Sequence, residues 1–258
     1  MLEALQTDWP VAELAIAFGL VTLGATLQVA TGVGLGLIAG PSLLFFLDGS
    51  AAILTAIILN LVLSACLLPT EIRDVAKRPL AELCLWACLG IPVGCVLLLL
   101  ADATVLKIVS GMVVLFAVAQ LRLFSAPESQ GADGRPRTMH LGGAVSGVMT
   151  GALAVPGPIA LWTLLSSGMN PAALRATLRA YFVVAYGVAL IIHVALSRDL
   201  QESIGLSLVL LPAVLLGIGL GIAGRKAIGP DRLRGILELV LLIMGLSLLT
   251  RGVWDAWS

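Results

Sequence analysis

Two arginines stand four residues apart in "NPAALRATLRAYF" (170–182), a run that continues into an apolar stretch. A guanidinium stays charged and presents a planar fork of donors that matches an oxyanion. Asn170 has the side chain of an N-cap and Pro171 suits a first helical turn. A helix starting there puts Arg175 and Arg179 on one face. Arg175 lies about one turn in, where a long side chain can snorkel to lipid headgroups. Arg179 lies two turns in, roughly 12 Å deep by helix rise. An ionisable group at that depth points to function. The chemistry indicated is recognition of an anion. Bond-making chemistry has little to work with: His193 is the one histidine inside a span, and no G-x-S-x-G, nucleotide loop or metal-ligand cluster accompanies it.

Two interruptions of apolar sequence offer a second means of holding an anion. "TGVGLG" (31–36) breaks the stretch 11–47, and "VPGP" (155–158) breaks the stretch 140–165. In hydrocarbon every freed backbone N–H and C=O needs a partner, so a break survives only inside protein or beside a watery cavity. Where the helix restarts, its first N–H groups are unsatisfied and the positive end of its dipole stands behind them. Two such N-termini, expected near Leu37–Pro41 and Gly157–Ile159, make an anion site without a buried lysine. Gly32, Gly34, Gly36, Gly40 and Gly157 allow close backbone approach. Pro41 and Pro158 fit a first turn, with Pro156 closing the second break. Gln28, Thr31, Ser42 and Thr150 are candidate neutral donors. The competing reading of the glycines is tight helix packing through small residues.

Other polar positions carry less. Glu238 follows Arg234 by four residues, so an internal ion pair is the plainer reading and a proton-coupling carboxylate the sharper one. His193 reads as an interfacial residue rather than a relay. Asn60, Ser64, Tyr181 and Tyr186 either line a pathway or bond across helices, and Trp254 and Trp257 suit an aromatic belt. Cys66, Cys84, Cys88 and Cys95 all fall in apolar stretches and read as small packing residues.

The elements that must position these groups are membrane helices. Of 258 residues, 59% are hydrophobic and 12% charged, about half the charge of an ordinary soluble domain. Mean hydropathy is +1.08. Formal net charge is zero with no basic tract, which argues against nucleic acid as a partner. No cleaved leader is expected. Apolar runs of spanning length appear at 11–47, 50–69, 81–101, 104–123, 140–165, 172–196, 203–224 and 232–250. The loop 125–139 divides a first repeat (1–124) from a second (140–258). Matching features support duplication: "GPSLLFF" from Gly40 against "GPIALWT" from Gly157, Glu82 and Pro92 against Glu202 and Pro212, and "LKIVSGMVVL" against "LRGILELVLL".

Reading 11–47 and 140–165 as helical hairpins places twelve of the fifteen Lys and Arg on the cytoplasmic side. A single crossing at 140–165 would split them eight to seven, so the positive-inside bias favours the double hairpin. The expected fold is therefore an all-α polytopic membrane protein. It has two inverted repeats, each a broken hairpin plus three transmembrane helices, with both termini periplasmic. Inverted repeats with broken helices meeting near the midplane are a recurrent transporter plan.

"GAVSGVMTGALAVPGPIALWTLLSSGMNPAALRATLRAYF" (143–182) resembles the second-half signature of the TauE/SafE sulfite exporter family. "GATLQVATGVGLGLIAGPSLLFF" (24–46) resembles that family's glycine-rich first tip. The resemblance implies a carrier of the bacterial inner membrane that exports small sulfur oxyanions or organosulfonates, such as sulfite or sulfoacetate. It requires no cofactor. The partners expected are a small anion and the lipid bilayer, with a homodimer left open. An anion channel of the same architecture and an intramembrane enzyme are the alternatives.

Overall fold

In the computed structural model, residues 10–123, 136–196, 200–227 and 230–257 are described. Among them the chain is helical throughout, with no strand. The order is α1 (Val11–Thr31), α2 (Leu35–Leu43), α3 (Gly49–Leu67), α4 (Lys77–Leu100), α5 (Ala103–Leu123), α6 (Pro136–Leu153), α7 (Gly157–Leu165), α8 (Pro171–Leu196), α9 (Leu200–Ala227) and α10 (Pro230–Trp257). Two short 3₁₀ turns, Leu68–Thr70 and Ile72–Asp74, join α3 to α4. Most of the loop expected at 125–139 lies outside the described residues.

Seven helices are long and apolar enough to cross a bilayer: α1, α3, α4, α5, α8, α9 and α10. Their outward faces expose Leu85, Leu89, Leu97, Leu216, Leu239 and many other apolar side chains. Water would not tolerate such a surface, and lipid requires it. The chain is a multi-pass membrane protein. Trp254 and Trp257 are exposed near the end of α10.

Hydrocarbon supplies no hydrophobic drive between helices, so close packing has to hold them together. Glycines do this along α4 and α6. A Cβ on Gly90 or Gly94 would overlap the backbone of Ala144 or Val148, and one on Gly147 would overlap Ala87. The same device joins α9 to α1, where Gly217 and Gly221 lie against Ala25 and Val29. It also joins α5 to α10 through Gly111 and Gly245. The two central helices, α3 and α8, pack against each other and against α9 and α4.

Both expected interruptions are breaks between helices, but the first restarts earlier than its sequence suggests. Gly32 supplies the left-handed residue the reversal needs, at φ 95°. The arm α2 then begins at Leu35 rather than near Leu37–Pro41. Pro41 is consequently inside α2, not in its first turn. The "GP" at Gly40 thus lies inside its arm, whereas the "GP" at Gly157 opens α7.

Candidate functional site between the two helix breaks

The first break is built by glycine and finished by a side chain. Gly32 closes α1, its N–H donating to the Gln28 carbonyl at 2.9 Å. The Leu35 amide, first in α2, donates to Gln28 Oε1 at 2.8 Å. Gln28 is buried and acts here as an acceptor that caps α2. Thr31 Oγ1 donates to the Leu27 carbonyl or the Val33 carbonyl, at 2.8 and 2.7 Å. A Cβ on Gly34 would stand 2.7 Å from the Gln28 nitrogen and 2.9 Å from the Gly24 carbonyl. Glycine is required there by space.

The second break is built by strain and remote hydrogen bonds. Ala154 leaves α6 at φ 57°, a region that side chains other than glycine's rarely occupy. Its carbonyl accepts from Tyr186 Oη at 3.0 Å. Ser146 Oγ donates to the Pro156 carbonyl at 2.9 Å and meets Tyr181 Oη at 2.8 Å. One turn back from the break, the Gly151 carbonyl is 2.9 Å from His193 Nε2. Pro158 sits in the first turn of α7, as expected, behind Pro156.

The two breaks touch. A Cβ on Gly36 would lie 2.7 Å from Tyr186 Oη and 2.9 Å from the Ala154 carbonyl. One on Gly40 would lie 2.8 Å from the Leu153 carbonyl, and one on Gly157 would lie 3.4 Å from Val33. Of the candidate donors, Ser42 bonds back to the Ala39 carbonyl at 3.1 Å and Thr150 to the Ser146 carbonyl at 2.7 Å. Their protons, like that of Thr31, are spent on local carbonyls.

Beside the breaks lies a cavity of about 370 Å³. Thr31, Val33, Pro158 and Arg175 line it, together with Arg234 from α10 and Gln120 from α5. Arg175 runs along the first break, its Cγ 3.9 Å from where a Gly32 Cβ would be. Its Nε is buried without a hydrogen-bond partner. That is an unspent donor on a cation at the mouth of two helix N-termini.

Arg179 is placed differently from Arg175. It is 4% exposed and pairs with Glu71, Nη1 to Oε1, at 2.6 Å. Its Nη2 donates to the Val29 carbonyl at 3.4 Å. Arg179 thus ties the α3–α4 connector to the last turn of α1, and it does not line the cavity. Sequence reasoning missed Glu71 because it lies among other charges in "TEIRDVAKR", with nothing to single it out. Glu238 pairs with Arg234, as its spacing suggests, and also with Arg122 of α5, each at 3.3 Å. Asn170 caps α8, its Oδ1 accepting from the Ala173 amide at 2.9 Å. His193, expected at an interface, is wholly buried among α4, α6 and α8. Helix α8 continues past it to Leu196, and α4 and α6 cover it.

No solved structure matches the chain significantly. A Cupriavidus necator protein named "Probable sulfite/organosulfonate exporter TauE" is 26% identical over 241 residues, 91% of this chain and 92% of that one. The model of the family described as "Sulfite exporter TauE/SafE" matches residues 16–248. That match takes in both breaks, the cavity and every residue placed around them, and so the chain belongs to the TauE/SafE sulfite exporter family.

Proposed function

We propose that this protein is a secondary transporter that exports a small sulfur oxyanion or organosulfonate, such as sulfite or sulfoacetate, across the bacterial inner membrane. The anion occupies the cavity beside the two breaks. Arg175 supplies the charge, and the first-turn amides at Gly36, Leu37 and Ile159, which have no intrahelical acceptor, supply directed donors. Arg179 and Glu71 hold the wall behind it. One observation carries the reading: the unpartnered, buried Nε of Arg175 where two interrupted helices meet.

The breaks belong to two inverted repeats, divided near 125–139. Paired contacts support this. The α4–α6 packing is matched by α9–α1, and α4–α8 by α9–α3, while α3–α8 and α5–α10 pair with themselves. The arms α2 and α7 are nine residues each, and the same interval separates Leu35 from Gly49 and Gly157 from Pro171. Both termini then face the periplasm. A cysteine at Ser166 or Ser167 is labelled from the cytoplasmic side only; labelling from outside overturns the topology.

The functional test is uptake of sulfite and of sulfonates into proteoliposomes. The expected outcome is transport of both with mutual competition, lost in Arg175→Gln while thermal stability is kept. Full activity in that variant removes Arg175 from the site, and indifference to both solutes rejects the substrate class.

A further inference from the structure

His193 is one of two histidines in the chain, and nothing in the anion site uses it. Its side chain is 0% exposed. Nε2 lies 2.9 Å from the Gly151 carbonyl, which can only accept, so in the neutral ring Nε2 carries the hydrogen. Nδ1 is then a bare acceptor, buried and without a partner. Buried polar atoms are nearly always satisfied, and an exception calls for an explanation. Among the described residues, the other polar side-chain atom against the ring is Cys95 Sγ, 3.5 Å from Nε2. An unpartnered ring nitrogen of this kind is able to take up a proton.

We infer that His193 is the proton-binding site that couples proton and anion movement, through the end of α6. Gly151 lies one turn before Ala154, and Tyr186 holds the Ala154 carbonyl from the same face of α8, two turns from His193. The carbonyl end of a helix carries a partial negative charge that repels an anion. A proton added at Nδ1 leaves the Nε2–H bond to Gly151 in place and sets a full positive charge against that end. Anion and proton therefore favour the same state, each tightening the other by reciprocal linkage.

The surroundings leave the histidine as the group that changes charge. Helix α4 presents Cys95 at this level, with Lys77, Arg78, Glu82, Cys84 and Cys88 toward its other end. Helix α6 has Arg137 and His140 only at its start, α7 has no ionisable residue, and α3 has Cys66 at its far end with Asp48 just before its first turn. The α3–α4 connector, with Glu71, Arg73 and Asp74, packs near the start of α8. No carboxylate is within salt-bridge distance of His193 among the described residues.

The inference rests on the transport reading but is tested separately. In a His140→Gln background, His193 is the sole histidine, and ¹⁵N-histidine NMR in lipid nanodiscs reports its two nitrogens directly. Nδ1 is expected to be bare at high pH and protonated reversibly as pH falls. Added methanesulfonate, whose own charge does not change near neutral pH, raises the protonated fraction. Methanesulfonate binding in turn tightens about tenfold on acidification, within the usual range of coupling between sites. In His193→Gln, which keeps an N–H for Gly151 and cannot take a proton, that pH dependence disappears. An Nδ1 that stays bare, a protonated fraction indifferent to methanesulfonate, or an unchanged pH dependence in His193→Gln overturns the inference. A protein that transports neither sulfite nor sulfonates in liposomes overturns the transport reading instead.

Discussion

The two breaks have arms of equal length and opposite construction. The first reverses at Gly32, which needs no support to be left-handed, and is capped by Gln28 seven residues from Leu35 in the same hairpin. The second reverses at Ala154, which is strained, and is held by Ser146 of its own α6 and, from α8, by Tyr186 directly and by Tyr181 through Ser146. Local backbone freedom shapes one, and tertiary hydrogen bonds shape the other. Glycine takes the left-handed conformation at Gly32 without strain, while Gly34 beside it has no room for a Cβ. A strained turn tolerates its side chain, but it depends on distant partners to stay formed. The pair thus combines a self-contained tip with one whose shape can be altered from α8.

The largest effect should come from filling the seam. Gly36→Ala places a methyl against Tyr186 Oη and the Ala154 carbonyl. Transport should fall to background, with an overpacking cost of about 1–3 kcal/mol in thermal unfolding; a variant that transports normally would show that the breaks need not touch.

Next is the wall behind the cavity. Arg179→Ala strands Glu71, whose second oxygen is already buried and unpartnered. A loss of about 3 kcal/mol is expected, and Glu71→Gln combined with Arg179→Met should recover much of it. If Arg179→Ala is as stable as the parent but inactive, Arg179 contacts the anion after all.

A smaller effect separates the two tips directly. Tyr186→Phe leaves the Ala154 carbonyl unsatisfied, at about 1–2 kcal/mol. Ala154→Gly removes roughly 1 kcal/mol of left-handed strain. In a double-mutant cycle the two should couple, Ala154→Gly softening the effect of Tyr186→Phe. Strict additivity would mean that Tyr186 does not hold the strained turn. The smallest change tests the self-contained tip: Gln28→Ala removes a cap and costs about 1 kcal/mol, while Gln28→Glu, which keeps an acceptor, costs less.

Much of this was readable in the chain. Glycine and proline inside hydrocarbon-length apolar runs mark breaks because they alter backbone freedom locally, whatever surrounds them. Thr31–Gly36 and Val155–Pro158 were visible for that reason. Proline position was less informative, since a nine-residue arm accepts Pro41 in its interior as readily as in its first turn. Polarity inside a span announced Arg179, Glu238 and His193, and spacing gave Glu238 its partner Arg234, but Arg122 and the partners of the other two were not readable. Arg179 is spent on Glu71 and the Val29 carbonyl, while Arg175, the shallower of the two along α8, lines the cavity and keeps a buried Nε without a partner. The hydroxyls of Thr31, Ser42 and Thr150 looked available because sequence does not reveal which helix carbonyl lies in reach.

The sequence by itself determined that the chain lives in lipid, that it is helical, where its helices are interrupted, and which cations fall within its apolar segments. Those are properties of composition, periodicity and local backbone chemistry. Only the tertiary structure decided that the interruptions abut, that Tyr186 and His193 grip the end of α6, and that Arg175 rather than Arg179 faces open space. Hydrogen bonds and ion pairs between residues more than thirty positions apart depend on which helices are neighbours, and glycine seams spread over several helices set that.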